Sequence, residues 1–215
     1  MSGSIEFIAG NKSKIFKDIL FHINEDLTFY GLPKYEPNYN LYEDIKNRKI
    51  ILPSKDDLPG IDLSLSKKRI LHKLKTIAIE LEYNPNWTLE DDSIFIGEPI
   101  YPDLFKEVFG SKQSHFILHS DCCGYYVPMD FQATSVPNNF LASLGSSFTL
   151  LNELREIAGK LKLRIEDYTP NLNELREQRF DELADASLCD EKFMLLELYN
   201  IALASIKYNL LISFN

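Results

Sequence analysis

Hydrophobic and polar residues alternate briefly near the N-terminus and then recur at helical spacing. Ile5, Phe7 and Ala9 lie two residues apart, which predicts a short strand with one apolar face. Asn11 or Ser13 then precedes apolar residues spaced three and four apart, which predicts an amphipathic helix capped by one of those two side chains. The apolar stripe consists of Ile15, Phe16, Ile19, Leu20 and Ile23.

The middle of the chain has a weaker pattern that returns to helical spacing after Ser66. Prolines and glycines interrupt residues 31–64, so we predict a short strand at residues 49–52 with ordered loop around it. Further on, residues 93–96 are predicted as a strand and residues 102–109 as a helix. The helical stripe after Ser66, a candidate N-cap, consists of Ile70, Leu71, Leu74, Ile77, Ala78 and Leu81.

Three helices are predicted in the C-terminal third of the chain. The first is capped by Ser146 or Ser147, the second spans residues 171–185, and the third spans residues 190–208. The third is apolar around most of its circumference, which is typical of a helix that packs centrally. The apolar face of the second helix is predicted to consist of Leu172, Leu175, Phe180 and Leu183.

The order of these elements predicts the fold class. Strands lie early and in the middle of the chain, whereas helices dominate its last third, and this segregation favours α+β over a parallel βαβ architecture. Residues 132–145 are the best candidate for a domain boundary, but no linker there is convincing. We therefore predict a single α+β domain over residues 1–215, with a small antiparallel sheet and a helical C-terminal third.

The composition is that of a globular protein with an acidic surface. Of the 215 residues, 45% are hydrophobic, which is enough to bury a core without disulfides or a metal. The formal net charge of -9 disfavours binding to nucleic acid or to an anionic membrane, because both require a positive field. A basic protein partner remains compatible with this charge.

The cysteines and the apolar segments predict a cytoplasmic location. Cys122, Cys123 and Cys189 are odd in number and two are adjacent, unlike a secreted disulfide scaffold. The N-terminus shows no basic stretch followed by an apolar run, so we expect no signal peptide. The apolar region 193–214 contains charged residues and asparagines, which favours a core helix over a membrane span. We expect no cofactor.

Residues 115–131 contain the side chains best suited to chemistry. Residues 115–119 and 125–127 are interpreted as two strands of a hairpin, joined by a four-residue turn that ends at Gly124. One face of this hairpin would be apolar and the other would contain both histidines. The apolar face consists of Phe116, Leu118, Val127 and Met129, and the other face of His115, Ile117, His119, Tyr126 and Pro128.

A metal site and a cysteine nucleophile are two hypotheses for this hairpin. His115 and His119 on one strand would lie about 13 Å apart, too far to share a zinc ion, whose nitrogen ligands sit at about 2.0–2.1 Å. Cys122 or Cys123 beside His119 could form a reactive thiolate. We favour a plain turn in which Asp121 bonds its own backbone, because a hairpin tip excludes water poorly.

A recognition surface is the third hypothesis for the same segment. His119, Asp121, Tyr125 and Tyr126 are the candidate binding residues, because aromatic side chains are common anchors at interfaces. Packed core tyrosines would give the same residue types. Elsewhere, acids could form a negative patch that steers a basic partner, or they could simply lie in solvated loops and at helix ends. These acids are Glu90, Asp91, Asp92, Asp181, Glu182, Asp185, Asp190 and Glu191.

Residues 119–128 read His-Ser-Asp-Cys-Cys-Gly-Tyr-Tyr-Val-Pro, followed by Asp130-Phe131 and later by the run Leu144-Gly145-Ser146-Ser147. This segment, a small part of the chain, resembles uncharacterised bacterial proteins of the immunity-protein type. The resemblance implies a stoichiometric partner role rather than catalysis, and it assigns no catalytic residue.

These observations lead to three functional predictions. The first is a cytoplasmic protein-binding module that acts as an immunity or antitoxin-type inhibitor of a basic partner. The alternative is a small enzyme that uses His119 with Cys122 or Cys123 on an unknown substrate. The third and least favoured is an acidic mimic of nucleic acid, which requires carboxylates in phosphate-like rows, and the scattered acids do not suggest such rows.

Overall fold

A five-stranded sheet with helices on both faces forms the framework of this protein, as seen in a computed structural model. The strands are β1 (Gly3–Ile8), β2 (Gly60–Leu63), β3 (Gly124–Val127), β4 (Leu144–Ser146) and β5 (Leu211–Phe214). The structure describes residues 3–8, 13–47, 49–53, 60–83, 114–121, 123–132, 143–165, 171–183 and 188–215.

The first and the last of these strands lie side by side in the middle of the sheet. Its strand order is β2-β1-β5-β3-β4. β1 and β5 are antiparallel, with Ile5 opposite Phe214, and the backbones of Ser4 and Asn215 exchange two hydrogen bonds of 2.9 Å. β1–β2 and β3–β5 are also antiparallel, whereas β3 and β4 are parallel. The predicted α+β class is therefore confirmed, with one parallel pair in an otherwise antiparallel sheet.

Seven helices occur in the residues that the structure describes. Six of them have at least eight residues, and the remaining one is a single turn in the middle of the chain. They are α1 (Lys14–Phe29), α2 (Tyr39–Lys46), α3 (Leu65–Tyr83), α4 (His115–Leu118), α5 (Ser147–Lys160), α6 (Leu172–Leu183) and α7 (Cys189–Tyr208).

The two faces of the sheet belong to two different hydrophobic clusters. Because side chains alternate along a strand, Leu211 points to one face and Ile212 to the other. The first face is covered by α1, through Phe16, Ile23 and Leu27. The second face packs under α3, α5, α6 and α7, which form the larger core. Thus α1 and α6 lie on opposite sides of the sheet.

Two predicted caps and the centre of the fold agree with the sequence prediction. The predicted cap Ser66 is wrong, because it lies inside α3 and Ser64 Oγ instead accepts the Lys67 N–H at 3.4 Å. Ser13 caps α1 by accepting the Phe16 N–H at 3.2 Å, and Ser146 caps α5 by accepting the Thr149 N–H at 3.1 Å. In α7, every residue from 191 to 202 is buried, so the helix predicted to pack centrally does so. No helix among the described residues is both long enough and apolar enough to span a bilayer.

Several predicted elements differ from the structure. Residues 49–52 form no strand; Leu52 instead buries its side chain in a small cluster beside Leu210. The stretch interpreted as loop contains α2 and β2, and the strand β5 follows directly after α7. The predicted strand at 93–96, the predicted helix at 102–109 and most of the candidate boundary at 132–145 lie outside the described residues.

Candidate functional site

The segment interpreted as the first strand of a hairpin begins with a helical turn that Glu153 of α5 holds in place. The Glu153 carboxylate accepts hydrogen bonds of 2.8 Å from Ser114 Oγ and from the backbone N–H groups of His115 and Phe116. Ser114 Oγ in turn accepts the Ile117 N–H at 3.0 Å. A single helical turn has no internal hydrogen-bond acceptors for these donors. The Glu153 carboxylate, distant in sequence, accepts them and so stabilises the helical conformation. The hairpin prediction is therefore wrong.

Burial dominates the electrostatics of that carboxyl group. Desolvation raises the pKa of Glu153, although its three hydrogen bonds act in the opposite direction. The ionised form is thus stabilised by donors of α4 and disfavoured by the surrounding core. Its role is to fix the position of α4 against α5.

His115 joins α4 to the adjacent strands β3 and β4. Its buried ring accepts the Ser146 N–H at Nδ1 over 2.8 Å, so the proton of the neutral ring lies on Nε2. Its backbone carbonyl accepts the Tyr126 hydroxyl at 2.7 Å. These bonds explain why a histidine and a tyrosine occupy the interior here, since buried polar groups need partners.

His119 lies at the end of α4 and is also buried. Its ring stacks on Tyr126 with 4.1 Å between centroids, and Nδ1 lies 2.8 Å from the Ser120 carbonyl. Burial lowers the pKa of His119 to about 3, so the ring is neutral near pH 7. A neutral ring has one N–H, and the shorter contact places it on Nδ1.

Asp121 fastens the loop after α4 to helix α3. Its carboxylate forms an ion pair with buried Lys75 and lies 3.0 Å from His72 Nδ1. Lys75 Nζ also donates to the His119 carbonyl at 2.6 Å. A buried ammonium group needs such partners, because an unpaired charge in the interior is costly. The cluster of His72, Lys75 and Asp121 is therefore a structural clamp between α3 and the loop.

The four predicted binding residues are divided between the two faces of the sheet. His119, Asp121 and Tyr126 lie on the side of α3, and Tyr125 packs with the cluster under α1. His119 and Tyr126 are buried, so a partner could directly contact only Asp121 and Tyr125, which are partly exposed. The binding role of these four residues stays a prediction.

The geometry of this segment bears on the cysteine hypothesis and on the metal hypothesis. Cys123 Sγ lies 3.4 Å from Ser120 Oγ, and a histidine with a pKa of about 3 is a weak base for a thiol at neutral pH. Cys122 lies outside the described residues. The metal argument assumed a strand, which was wrong; among the described residues, no group of three or more His, Cys, Asp or Glu could hold a metal ion.

Helix α6 presents a different surface, composed of acidic side chains that point outward. Its inner face consists of Leu172, Leu175 and Leu183, all buried in the main core, with buried Arg179 between them in the same register. The outer face has a set of exposed carboxylates at spacings of three and four residues, which places them on one side of the helix. This set, here named the acidic row, consists of Glu174, Glu177 and Asp181.

Both arginines of α6 are turned away from the acidic row. Arg179 donates from both terminal nitrogens to the Arg164 carbonyl at 3.1 Å. Arg176 lies 4.8 Å above the Phe193 ring and 3.5 Å from an Asp190 carboxylate oxygen. The outer face of α6 is therefore more negative than the net charge of the helix suggests, because both arginines make contacts within the fold.

The sequence around α6 holds most of the excess charge of the chain. Residues 166–191 contain nine acidic and two basic side chains, a net charge of -7 against -9 for the whole chain. Phe180, which we predicted on the apolar face, is 55% exposed. Arg179 takes the inner position instead, because its guanidinium finds a backbone carbonyl there. The spacing of the three acids was visible in the sequence, but their common outward direction was not.

Comparison with protein-family models matches residues 12–214 to a family described as "Putative DNA-mimic protein". No curated protein and no solved structure matches the chain. The family match contradicts the predicted immunity or antitoxin-type inhibitor and the alternative of a cysteine/histidine enzyme, and both predictions are wrong. A protein partner, which we also expected, is compatible with the family. Because the match covers nearly the whole chain, this protein belongs to the DNA-mimic family.

Proposed function

We propose that this protein binds a DNA-binding protein at the surface where that protein holds DNA, and that the acidic row supplies part of the phosphate-like charge. The single observation that carries the proposal is the outward row of carboxylates on α6 in a chain of the DNA-mimic family. The least favoured hypothesis from sequence thus becomes the leading one. The reason is that acids which appear scattered in the sequence form a row on one face of the folded helix.

The spacing of the acidic row supports this proposal. Glu174, Glu177 and Asp181 lie about 4.5 Å and about 6 Å apart along the helix axis, at about 1.5 Å per residue. One DNA strand carries a phosphate about every 3.4 Å of its axis. The linear charge densities agree within a factor of two, and flexible side chains let each carboxylate adjust its position.

The single sign of charge on this surface also supports the proposal. A DNA backbone offers only anions, so a protein that binds it presents Lys and Arg side chains at matching positions. In α6, Arg179 is buried and Arg176 lies against Phe193, so neither opposes such side chains across the row. The mimic would therefore attract a basic groove over a distance of about one Debye length, roughly 8 Å at physiological salt.

A cytoplasmic location is part of the same proposal. The three cysteines are odd in number and two of them are adjacent, which agrees with a reducing compartment. DNA-binding proteins share that compartment in a cell without a nucleus. The oxidation state of the cysteines in freshly isolated protein, measured by mass spectrometry after alkylation, tests this part.

The test of the proposal is competition with DNA. The full chain is immobilised and exposed to proteins of its host that were retained on a duplex-DNA column. We expect stoichiometric capture of at least one of them, release by a short DNA duplex, and weaker capture as salt rises. A variant with E174Q, E177Q and D181N keeps the side-chain shapes and should lose at least tenfold in affinity, because three charge contacts are removed.

The matched control neutralises three exposed acids far from α6. E36Q, E43Q and D130N change the net charge by the same amount, with the same types of substitution, at exposed positions outside α6. Capture by this control should stay near the wild-type level. Captured proteins that DNA does not displace, or equal losses in the two variants, would refute the assignment of the acidic row as a DNA-like surface.

A further inference from the structure

The outward face of α1 is apolar, although the opposite face of this helix already covers the sheet. Phe16, Ile23 and Leu27 point inward and are buried against the sheet. The outer face exposes three large apolar side chains, which soluble surfaces seldom hold together on one helix. They are Ile15, Phe21 and Phe29, with exposed fractions of 73%, 59% and 81%.

Opposite charges flank the middle of that face at equal distances. Lys17, Phe21 and Glu25 follow one another at intervals of four residues, so they form one stripe on the outer side of α1. Lys17 and Glu25 are exposed, and each lies about 6 Å from Phe21 along the helix axis. The stripe thus reads positive, aromatic, negative from the N-terminal to the C-terminal end.

We infer that α1 is the contact through which two copies of this chain associate, antiparallel about a two-fold axis at Phe21. A two-fold contact is self-complementary, so residue i of one copy meets residue j of the second and the reverse. Centring the axis on Phe21 places Lys17 of each copy opposite Glu25 of the other. The charge order of the stripe therefore matches a second copy in the antiparallel orientation, and two ion pairs close around the paired aromatic rings.

The size of the face sets the strength of this association. Sixteen residues give α1 a length of about 24 Å, and a helix surface is about 10 Å wide. Such a contact is smaller than the roughly 800 Å² per partner of standard interfaces, so the expected dissociation constant is micromolar rather than nanomolar. Because α6 lies on the other side of the sheet, the dimer would leave both acidic rows accessible.

Charge reversal in the full-length chain tests the inference, with sedimentation equilibrium as the measurement. K17E places four acidic groups around the axis, and E25K places four basic ones. Each variant alone should dissociate at least tenfold more readily than wild type, since attraction becomes repulsion at two symmetric positions. Mixing the two variants restores opposite charges at both positions, so the mixture should dimerise as the wild type does.

A control variant on α6 and two contrary results complete the test. E177K reverses a charge on α6 and should leave the self-association unchanged. Circular dichroism should show the native spectrum for all variants, because the substituted residues are exposed. The inference would be overturned by a wild-type chain that stays monomeric at a concentration of about 100 μM. It would also be overturned if the mixture of the two variants failed to dimerise. Neither result bears on binding by the acidic row.

Discussion

Two regions of this molecule contrast in the use they make of polar side chains. The segment 114–126 contains two histidines, two tyrosines, an aspartate and two cysteines, the residue types that suggest chemistry, and it buries both histidines and Tyr126. Helix α6 contains ordinary acids and arginines, and it directs Glu174, Glu177 and Asp181 to solvent. The first region is rich in reactive residue types but exposes few of them. The second contains only common charged residues but exposes its carboxylates.

The difference teaches that the direction of a side chain matters more than its type. In the first region every buried polar group serves a neighbour, as in the bond from Tyr126 to the His115 carbonyl and the ion pair of Asp121 with Lys75. In the second, Arg179 is buried and the partly exposed Arg176 lies against Phe193, so both cations of α6 are turned away from the acidic row. We therefore expect substitutions to alter stability in the first region and binding in the second.

The largest expected effect is that of Asp121→Ala. The change leaves the Lys75 ammonium group buried without its carboxylate, and breaking a buried pair in this way costs about 3 kcal/mol or more. Urea unfolding at pH 7 measures the loss. A cost below about 1 kcal/mol would mean that water solvates the ammonium group, and the region would then resemble α6 more closely than we describe.

An intermediate effect should come from the protonation of His119. The pKa of His119 is about 3 in the folded chain and near 6.5 in the unfolded chain. Between these values His119 is protonated in the unfolded chain but stays neutral in the folded chain. The free energy of unfolding therefore falls as the pH is lowered, by about 2 kcal/mol at pH 5 relative to pH 7.

The variant His119→Phe isolates that contribution, because it keeps a ring on Tyr126 and removes the titration. The partly buried Glu153 and the buried Asp26 have raised pKa values and act in the opposite direction over part of this range. They are present in both proteins and cancel in the comparison. Parallel pH profiles of unfolding for the wild type and the variant would contradict the buried, neutral state of His119.

The smallest expected effect on stability is that of the triple variant E174Q/E177Q/D181N. Exposed charges contribute little to folding, so its free energy of unfolding should lie within about 0.5 kcal/mol of wild type. Thermal unfolding at two salt concentrations measures this. A larger loss would show that the acidic row supports the fold, and the contrast between the two regions would then disappear.

The sequence predicted the long helices well, because their apolar stripes run over several turns. The Ser13 and Ser146 caps were also predictable, since each needs only a side chain next to a stripe. Strand β5 was missed because it is buried on both faces and shows no alternation after α7. Asn209, whose backbone adopts the left-handed conformation at φ 53°, marks the end of α7 and was the available signal.

The proposed binding surface could be predicted only in part. The interval of three and four residues in the acidic row is visible in the sequence, but the inward direction of Arg179 depends on a carbonyl at Arg164, fifteen residues away. The turn α4 depends in the same way on Glu153, nearly forty residues away. Local patterns specify neither contact, so the hairpin prediction failed and the DNA-mimic hypothesis was placed last.

The adjacency of β1 and β5 in the sheet has a consequence for the order of folding. About 200 residues separate these strands, and at about 5–20 residues per second a ribosome needs roughly 10–40 s to make them. During that time β1 can pair with β2, but its other edge waits for β5, which follows every other described element. An unpaired edge is a template for wrong pairing, and so the nascent chain is most vulnerable to aggregation just before its central strand emerges.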